Sequence, residues 1–237
     1  MQKLVYSALE SISLPGTVQR LEYIEKKVKG KKVFDLGALD ETAIDSKKDR
    51  GNWLHARLCA AATEVIGIDN SELVPPTGLT TAANGRIIKA DIFDLVPVVQ
   101  EFGVPQVIVA GELIEHLTDT LGWLRSLKSN PALAGAQLIV STPNACSWHN
   151  FLIGLTGRES THPDHLQIYS YKTLRTLFDR SGIELQELVP YHVRFDEMLE
   201  GSQGMRRLSV RAFQGVINTV ERFTPALNAG WIGVARI

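Results

Sequence analysis

Val33-Phe34-Asp35-Leu36-Gly37 and Val65-Ile66-Gly67-Ile68-Asp69, with Trp53, Leu54, Leu58, Ala61 and Ala62 spaced between them, decide the fold. Each outer run is short, largely apolar and β-branched, and closes on Gly or Asp. The middle residues recur at helical spacing. Such a strand–helix–strand unit predicts two parallel strands joined by a right-handed crossover and covered by helices on both faces.

The alternation continues downstream. Arg86–Asp91 predicts a third strand, Gln106–Gly111 a fourth and Gln137–Thr142 a fifth, with helices around Leu95–Phe102 and Thr118–Leu127 between them. An irregular segment, Pro143–Ser170, follows. Tyr171–Ser181 reads as a helix stopped by Gly182, Ile183–Val189 as a sixth strand, and a helical region runs to about Phe223. Trp231–Arg236 is the closing, seventh strand. Upstream, Val18, Leu21, Ile24 and Val28 mark an N-terminal helix ended by Gly30. The organisation expected is a single domain over 1–237, with an N-terminal helix in 1–30 and cap segments at about 145–170 and 191–228.

The 237 residues are 44% hydrophobic and 22% charged, which are globular values and exclude disorder or a fibrous repeat. No apolar run approaches the ~18 residues of a membrane helix. Met1-Gln2-Lys3 does not open a signal peptide. Two cysteines, Cys59 and Cys146, make no disulfide framework, so a reducing, cytoplasmic setting is expected. A net charge of −1 gives no strong electrostatic footprint for nucleic acid or anionic membrane, so neither is an expected partner. The Lys26–Lys32 basic run reads as a solvated helix end.

In an open α/β sheet, ligands bind beyond the carboxyl ends of the strands, near the switch point. Here those ends carry Asp35, Asp69, Asp91 and Gly111-Glu112. This rim is acidic. Phosphate would want glycine-rich amide nests and cations. An acidic rim suits a ligand with hydroxyls to be accepted and positive charge to be balanced. A nicotinamide dehydrogenase would want Gly-x-Gly-x-x-Gly, which Gly37-Ala38-Leu39-Asp40-Glu41-Thr42 does not supply.

With these motifs in this order, the chain resembles the class I S-adenosylmethionine-dependent methyltransferases. Val33–Gly37 looks like their first motif, Ile66–Asp69 the second, Ala90-Asp91-Ile92-Phe93 the third and Gly111–Leu117 the fourth. Ser141–Asn144 and the Asp164-His165 to Gly182 stretch resemble the ubiquinone-pathway O-methyltransferase-like branch. The resemblance spans about Val33 to Val189. It implies a Rossmann-like three-layer α/β sandwich with a seven-stranded, mostly parallel sheet whose last strand is antiparallel. It implies S-adenosylmethionine held by Asp35, Gly37, Asp69, Asn70, Asp91, Ile92, Gly111 and Glu112. The sequence departs from the family at Leu39, which stands where the second glycine of Asp-x-Gly-x-Gly falls.

Glu112, Glu115 and His116 share one face if their turn is helical, and two carboxylates with an imidazole can hold a divalent cation such as Mg²⁺. The pattern resembles metal-dependent relatives, including small-RNA 2′-O-methyltransferases, which implies His165 as a further ligand with His162 as its competitor. Glu115, His116 and His165 are then the catalytic candidates, by Lewis-acid activation of an acceptor hydroxyl. Metal-free relatives also carry Glu-His-Leu here, with His116 as a general base.

Trp148, His149, Phe151, His162, His165 and Tyr169 suit a substrate wall in the irregular segment. Leu208, Phe213, Val216, Ile217, Val220 and Phe223 read as a stripe for the core or for a homodimer contact. The function expected is methyl transfer to a small-molecule hydroxyl. A small-RNA or nucleotide 2′-O-methyltransferase and a non-catalytic binding or scaffold protein are the alternatives.

Overall fold

The computed structural model describes residues 11–39, 52–159, 161–192, 199 and 202–237. Its frame is one sheet of eight strands, in the order β3-β4-β2-β1-β5-β6-β8-β7. These are β1 (Lys32–Leu36), β2 (Glu64–Asp69), β3 (Leu79–Ala82), β4 (Gly85–Lys89), β5 (Val107–Gly111), β6 (Gln137–Pro143), β7 (Glu184–Tyr191) and β8 (Gly230–Arg236). β4, β2, β1, β5 and β6 run parallel. β8 is antiparallel to both β6 and β7, as expected for the closing strand.

Eight strands rather than seven is a correction. The extra one, β3, makes an antiparallel hairpin with β4 and is half-buried, with a register shift between Thr80 and Ala82. Its short polar sequence lacks the apolar signal of a central strand.

The sheet buries both faces, and the strands' period of two sorts their side chains. Val33, Val65, Val107, Val109, Ile139 and Val234 pack under α1 (Arg20–Val28) and α2 (Leu54–Ala61). Phe34, Ile66, Ile108, Leu138 and Val140 pack on the opposite side. There they meet α3 (Val96–Phe102), α4 (Thr120–Ser129) and α6 (Tyr171–Ser181). Trp123 of α4 and Phe178 of α6 are fully buried in that layer. Gly182 ends α6 at φ 78°, a left-handed position where glycine is favoured.

Three further expectations change. The N-terminal helix is confined to Arg20–Val28, because residues 11–17 form neither helix nor strand; the part of the expectation in residues 1–10 lies outside the described residues. The irregular segment contains a helix, α5 (Trp148–Gly154), capped by the Ser147 side chain. The C-terminal stripe lies on α7 (Gly204–Phe223), but α7 buries only Val210, Ile217 and Glu221. Of the stripe, Leu208, Phe213, Val216, Val220 and Phe223 are exposed. Of the cap expected over 191–228, residues 193–198, 200 and 201 lie outside the described residues.

Candidate active site at the carboxyl rim of the sheet

The strand order reverses between β1 and β5, so the crevice of this fold opens where those strands end. Asp35 lies one residue short of that end and is buried, on the α1/α2 side. Its Oδ2 is 2.9 Å from Nδ1 of buried His55 on α2, and His55 Nε2 is 2.8 Å from Thr81 Oγ1 on β3. Burial alone would lower the His55 pKa. That is the largest single effect, but the hydrogen bonds to Asp35 and Cys59 and the charges of both groups together outweigh it and lift the pKa to about 9. His55 is thus a cation at neutral pH and balances Asp35 from within. Asp35 offers no open carboxylate to the rim and acts as a tie between β1 and α2. Sequence reasoning found Asp35 but not its partner.

The turn after β1 is held by Asp69. Its Oδ2 accepts the Leu39 N–H and its Oδ1 the Ser71 N–H, both at 2.9 Å. A carboxylate offers about four lone-pair sites, so about two remain for a diol. The Leu39 side chain is half-buried against the Ala38, Trp53, Val74 and Ile87 cluster. Gly37, at φ 69°, is exposed on the turn. The rim therefore keeps an exposed glycine turn beside a buried acceptor, a donor–acceptor set that fits a ribose-bearing cofactor. Asn70 is exposed beside Asp69. Asp91 is also exposed, and its Oδ1 accepts the Phe93 N–H at 2.8 Å. Ile92 is half-buried against the main core.

Gly111 ends β5 where a Cβ would collide with Leu54 of α2. Glu112 follows at φ 54°, a left-handed conformation that costs a non-glycine residue about 1–3 kcal/mol. It is held by its N–H, donated to the Ser141 carbonyl at 2.9 Å, and by its carboxylate. The Tyr191 hydroxyl donates to that carboxylate, 3.2 Å from each oxygen, and Arg20 Nη1 lies 3.5 Å away. Burial, then the Glu112 charge, raises the Tyr191 pKa well above its usual value. Neither Arg20 nor Tyr191 stood out in the sequence, because both reach the site from distant elements.

Ile114–His116 forms a 3₁₀ turn. Glu115, at its centre, is buried, and neither of its carboxylate oxygens has a hydrogen-bond partner. The nearby Thr142 hydroxyl is buried and equally unpaired. Burial, then the Glu112 charge, pushes the Glu115 pKa up to about 8. The Glu115 backbone carbonyl accepts the N–H groups of Leu166 (2.9 Å) and Gln167 (3.2 Å), which draws the following loop onto this turn. That tie delivers His165. One ligand atom each from Glu115, His116 and His165 lies within 4.8 Å of the other two. The His116 and His165 ring centroids are 4.7 Å apart. His116 Nδ1 is 3.2 Å from the Asp164 carbonyl, so this nitrogen donates and Nε2 is left as the electron-pair donor. Burial, then His116 and His162, holds the His165 pKa below its usual value, which favours the neutral ligating form.

Of the four expected metal ligands, three are therefore brought together. Glu112 is not; it stays with Tyr191 and Arg20. A buried carboxylate with no partner, facing two imidazoles, is a donor set that fits a divalent cation. His162 stands exposed next to the trio, its ring 5.4 Å from that of His165. Between α5 and the residues leading to His165 lies a cleft of about 330 Å³, lined by Asn150, Arg158, Glu159 and Thr161 among others.

Residues 17–188 match a family model described as a methyltransferase domain. No curated protein matches the chain. Among solved structures, a SAM dependent methyltransferase from Archaeoglobus fulgidus aligns with a TM-score of 0.52 and 15% identity, over 92% of this chain and 91% of that one. The methyltransferase domain of bacterial CtHen1-CN aligns at 0.52 and 16%, over 92% and 98%. Magnesium protoporphyrin IX methyltransferase from Synechocystis PCC 6803, solved with bound SAH, aligns at 0.54 and 12%, over 92% and 82%. At these identities the likeness is one of fold.

Proposed function

The chain belongs to the methyltransferase domain family, and on that premise we propose that it transfers a methyl group from S-adenosylmethionine to a hydroxyl of a small-molecule acceptor, with a divalent cation held by Glu115, His116 and His165. The observation that carries the metal part is the buried Glu115 carboxylate, unpartnered and facing two imidazoles. Ionising a carboxylate in this buried position is costly, and a bound cation would offset that cost and take the place of its proton.

The cofactor supplies an electrophilic methyl group on a sulfonium. A divalent cation held by Glu115, His116 and His165 would supply Lewis-acid chemistry, lowering the pKa of an acceptor hydroxyl. The chain's own groups do the placing. Asp69 accepts the ribose hydroxyls with the lone pairs that Leu39 and Ser71 leave free. The exposed Gly37 turn lets the backbone approach the cofactor's amino-acid end. Asp91 and Ile92 border the adenine. Glu112, braced by Tyr191 and Arg20, and Gly111 line the crevice between cofactor and acceptor. Methyl transfer needs the acceptor oxygen in line with the sulfur–methyl bond, so rigid placement supplies much of the rate.

A small acceptor is supported by the cleft lined by Asn150, Arg158, Glu159 and Thr161, whose volume of about 330 Å³ is at the low end of small-molecule sites. Calorimetry tests the assignment. S-adenosylmethionine should bind at micromolar concentration and weaken at least ~10-fold in Asp69→Ala, the loss of a charged hydrogen-bond acceptor. Mn²⁺ should give a separate heat that disappears in Glu115→Ala and His165→Ala while cofactor binding remains. A manganese heat unchanged in Glu115→Ala would overturn the metal assignment. Absence of cofactor binding would overturn the reading as a whole.

A further inference from the structure

α7 is amphipathic with its apolar side turned outward. Val210, Ile217 and Glu221 face the protein. Met205 is 86% exposed, Leu208 69%, Val216 58% and Phe223 81%. At 100° per residue, Leu208, Met205, Phe223, Val216, Val220 and Phe213 fall in one sector of about 140°. Arg222 and Arg211 flank that sector on one side and Arg206 on the other, all of them exposed, while Arg207 points to the opposite side of the helix. The acidic residue of α7, Glu221, is buried, 2.7 Å from His192 Nδ1 and accepting the Trp148 indole N–H at 3.2 Å. The exposed surface of α7 therefore carries four cations and no anion. Trp148 also stacks edge-on against Phe213, seating α5 beside α7. α5 and the residue after it extend the apolar surface with exposed Phe151, Leu152 and Leu155.

We propose that α7, with the neighbouring tip of α5, is a docking surface for an anionic lipid bilayer. A contiguous apolar face of this kind is rare on a freely soluble surface. An apolar stripe bordered by arginines is the pattern of a helix lying in the plane of a membrane interface. Among the described residues no helix is long and apolar enough to cross a membrane, so the contact is a peripheral one. The charge selects the occupant. Pairing two copies of α7 along their stripes would bring arginine borders together with no acidic partner on either helix. An anionic headgroup layer offers the missing charge to Arg206, Arg211 and Arg222. This inference is independent of the acceptor and of the metal.

Vesicle sedimentation of the full chain tests it. One set of vesicles is phosphatidylcholine, and the other contains about one-third phosphatidylglycerol. The protein should sediment with the anionic set, stay in solution with the neutral set, and lose binding as salt rises. Leu208→Asp with Val216→Asp should lower partitioning at least ~10-fold, and so should Arg206→Glu with Arg211→Glu. All four positions are exposed, and circular dichroism would check that each variant is folded. Should the aspartate pair fail to fold, the arginine pair carries the test. Equal partitioning into neutral vesicles would overturn the proposal, as would no partitioning or variants that bind like the parent. A stable dimer in light scattering that dissociates in Leu208→Asp would also overturn it and assign the face to a second copy.

Discussion

At Asp35, a carboxylate buried in β1 meets the imidazole of His55, 2.9 Å away, and burial makes that contact costly to break. Removing one partner of a buried ion pair costs about 3–5 kcal/mol. His55→Ala should therefore lower the unfolding free energy by about that amount in urea titrations at pH 7. The pH dependence has a definite sign. His55 has a folded pKa of about 9, above its unfolded value of 6.5. Its contribution is whole below pH 6.5 and is lost as pH rises through about 9. The stability gap between the parent and His55→Gln should be flat below pH 6.5 and shrink up to pH 9. A gap that widened over this range would contradict the ion pair. Leu39 gives a second test. Its side chain packs against Trp53, Val74 and Ile87. Leu39→Gly, which restores the family's glycine, should cost about 1–3 kcal/mol of stability. It should tighten cofactor binding by no more than about twofold, because the Leu39 N–H already bonds to Asp69 and glycine keeps that amide.

Among the elements, α6 was legible almost to the residue because local chemistry sets both its ends. Ser170 and Thr173 form a capping box, and Gly182 closes the helix in the left-handed region. Ser170→Ala should cost about 1 kcal/mol in thermal or urea unfolding. Elements without such signals were harder to read. β3 holds few residues and is half-buried, so its pairing with β4 decides it more than its own pattern does. α7 shows the converse. Its helical period was plain, but period does not say which way the stripe points. The stripe, read as core or as a homodimer contact, is exposed, and a buried Glu221 with its partners Trp148 and His192 sets the rotation of the helix. Net charge is silent on position in the same way. A total of −1 coexists with four exposed arginines on one helix, because a sum discards position.

At the scale of the whole molecule, the proposed metal site couples distant segments. The 3₁₀ turn carries Glu115 and His116, and the loop tied to its carbonyl carries His165. A cation bound there would favour the folded state by mass action. Mn²⁺ at about 100 times its Kd should raise stability by about 2.7 kcal/mol in the parent and leave the melting temperature of Glu115→Ala unchanged. The sequence by itself determined the alternation of strands and helices, the parallel character of the central sheet and the acidic residues near its carboxyl rim. Each of these follows from period, β-branching and turn chemistry within a few residues of chain. Only the tertiary structure decided that His55 neutralises Asp35, that Tyr191 and Arg20 brace Glu112, and that Glu115 meets His165. It also decided that α7 turns its apolar side outward. These are contacts between segments far apart in the chain, and their geometry depends on how the layers pack, which no local pattern encodes.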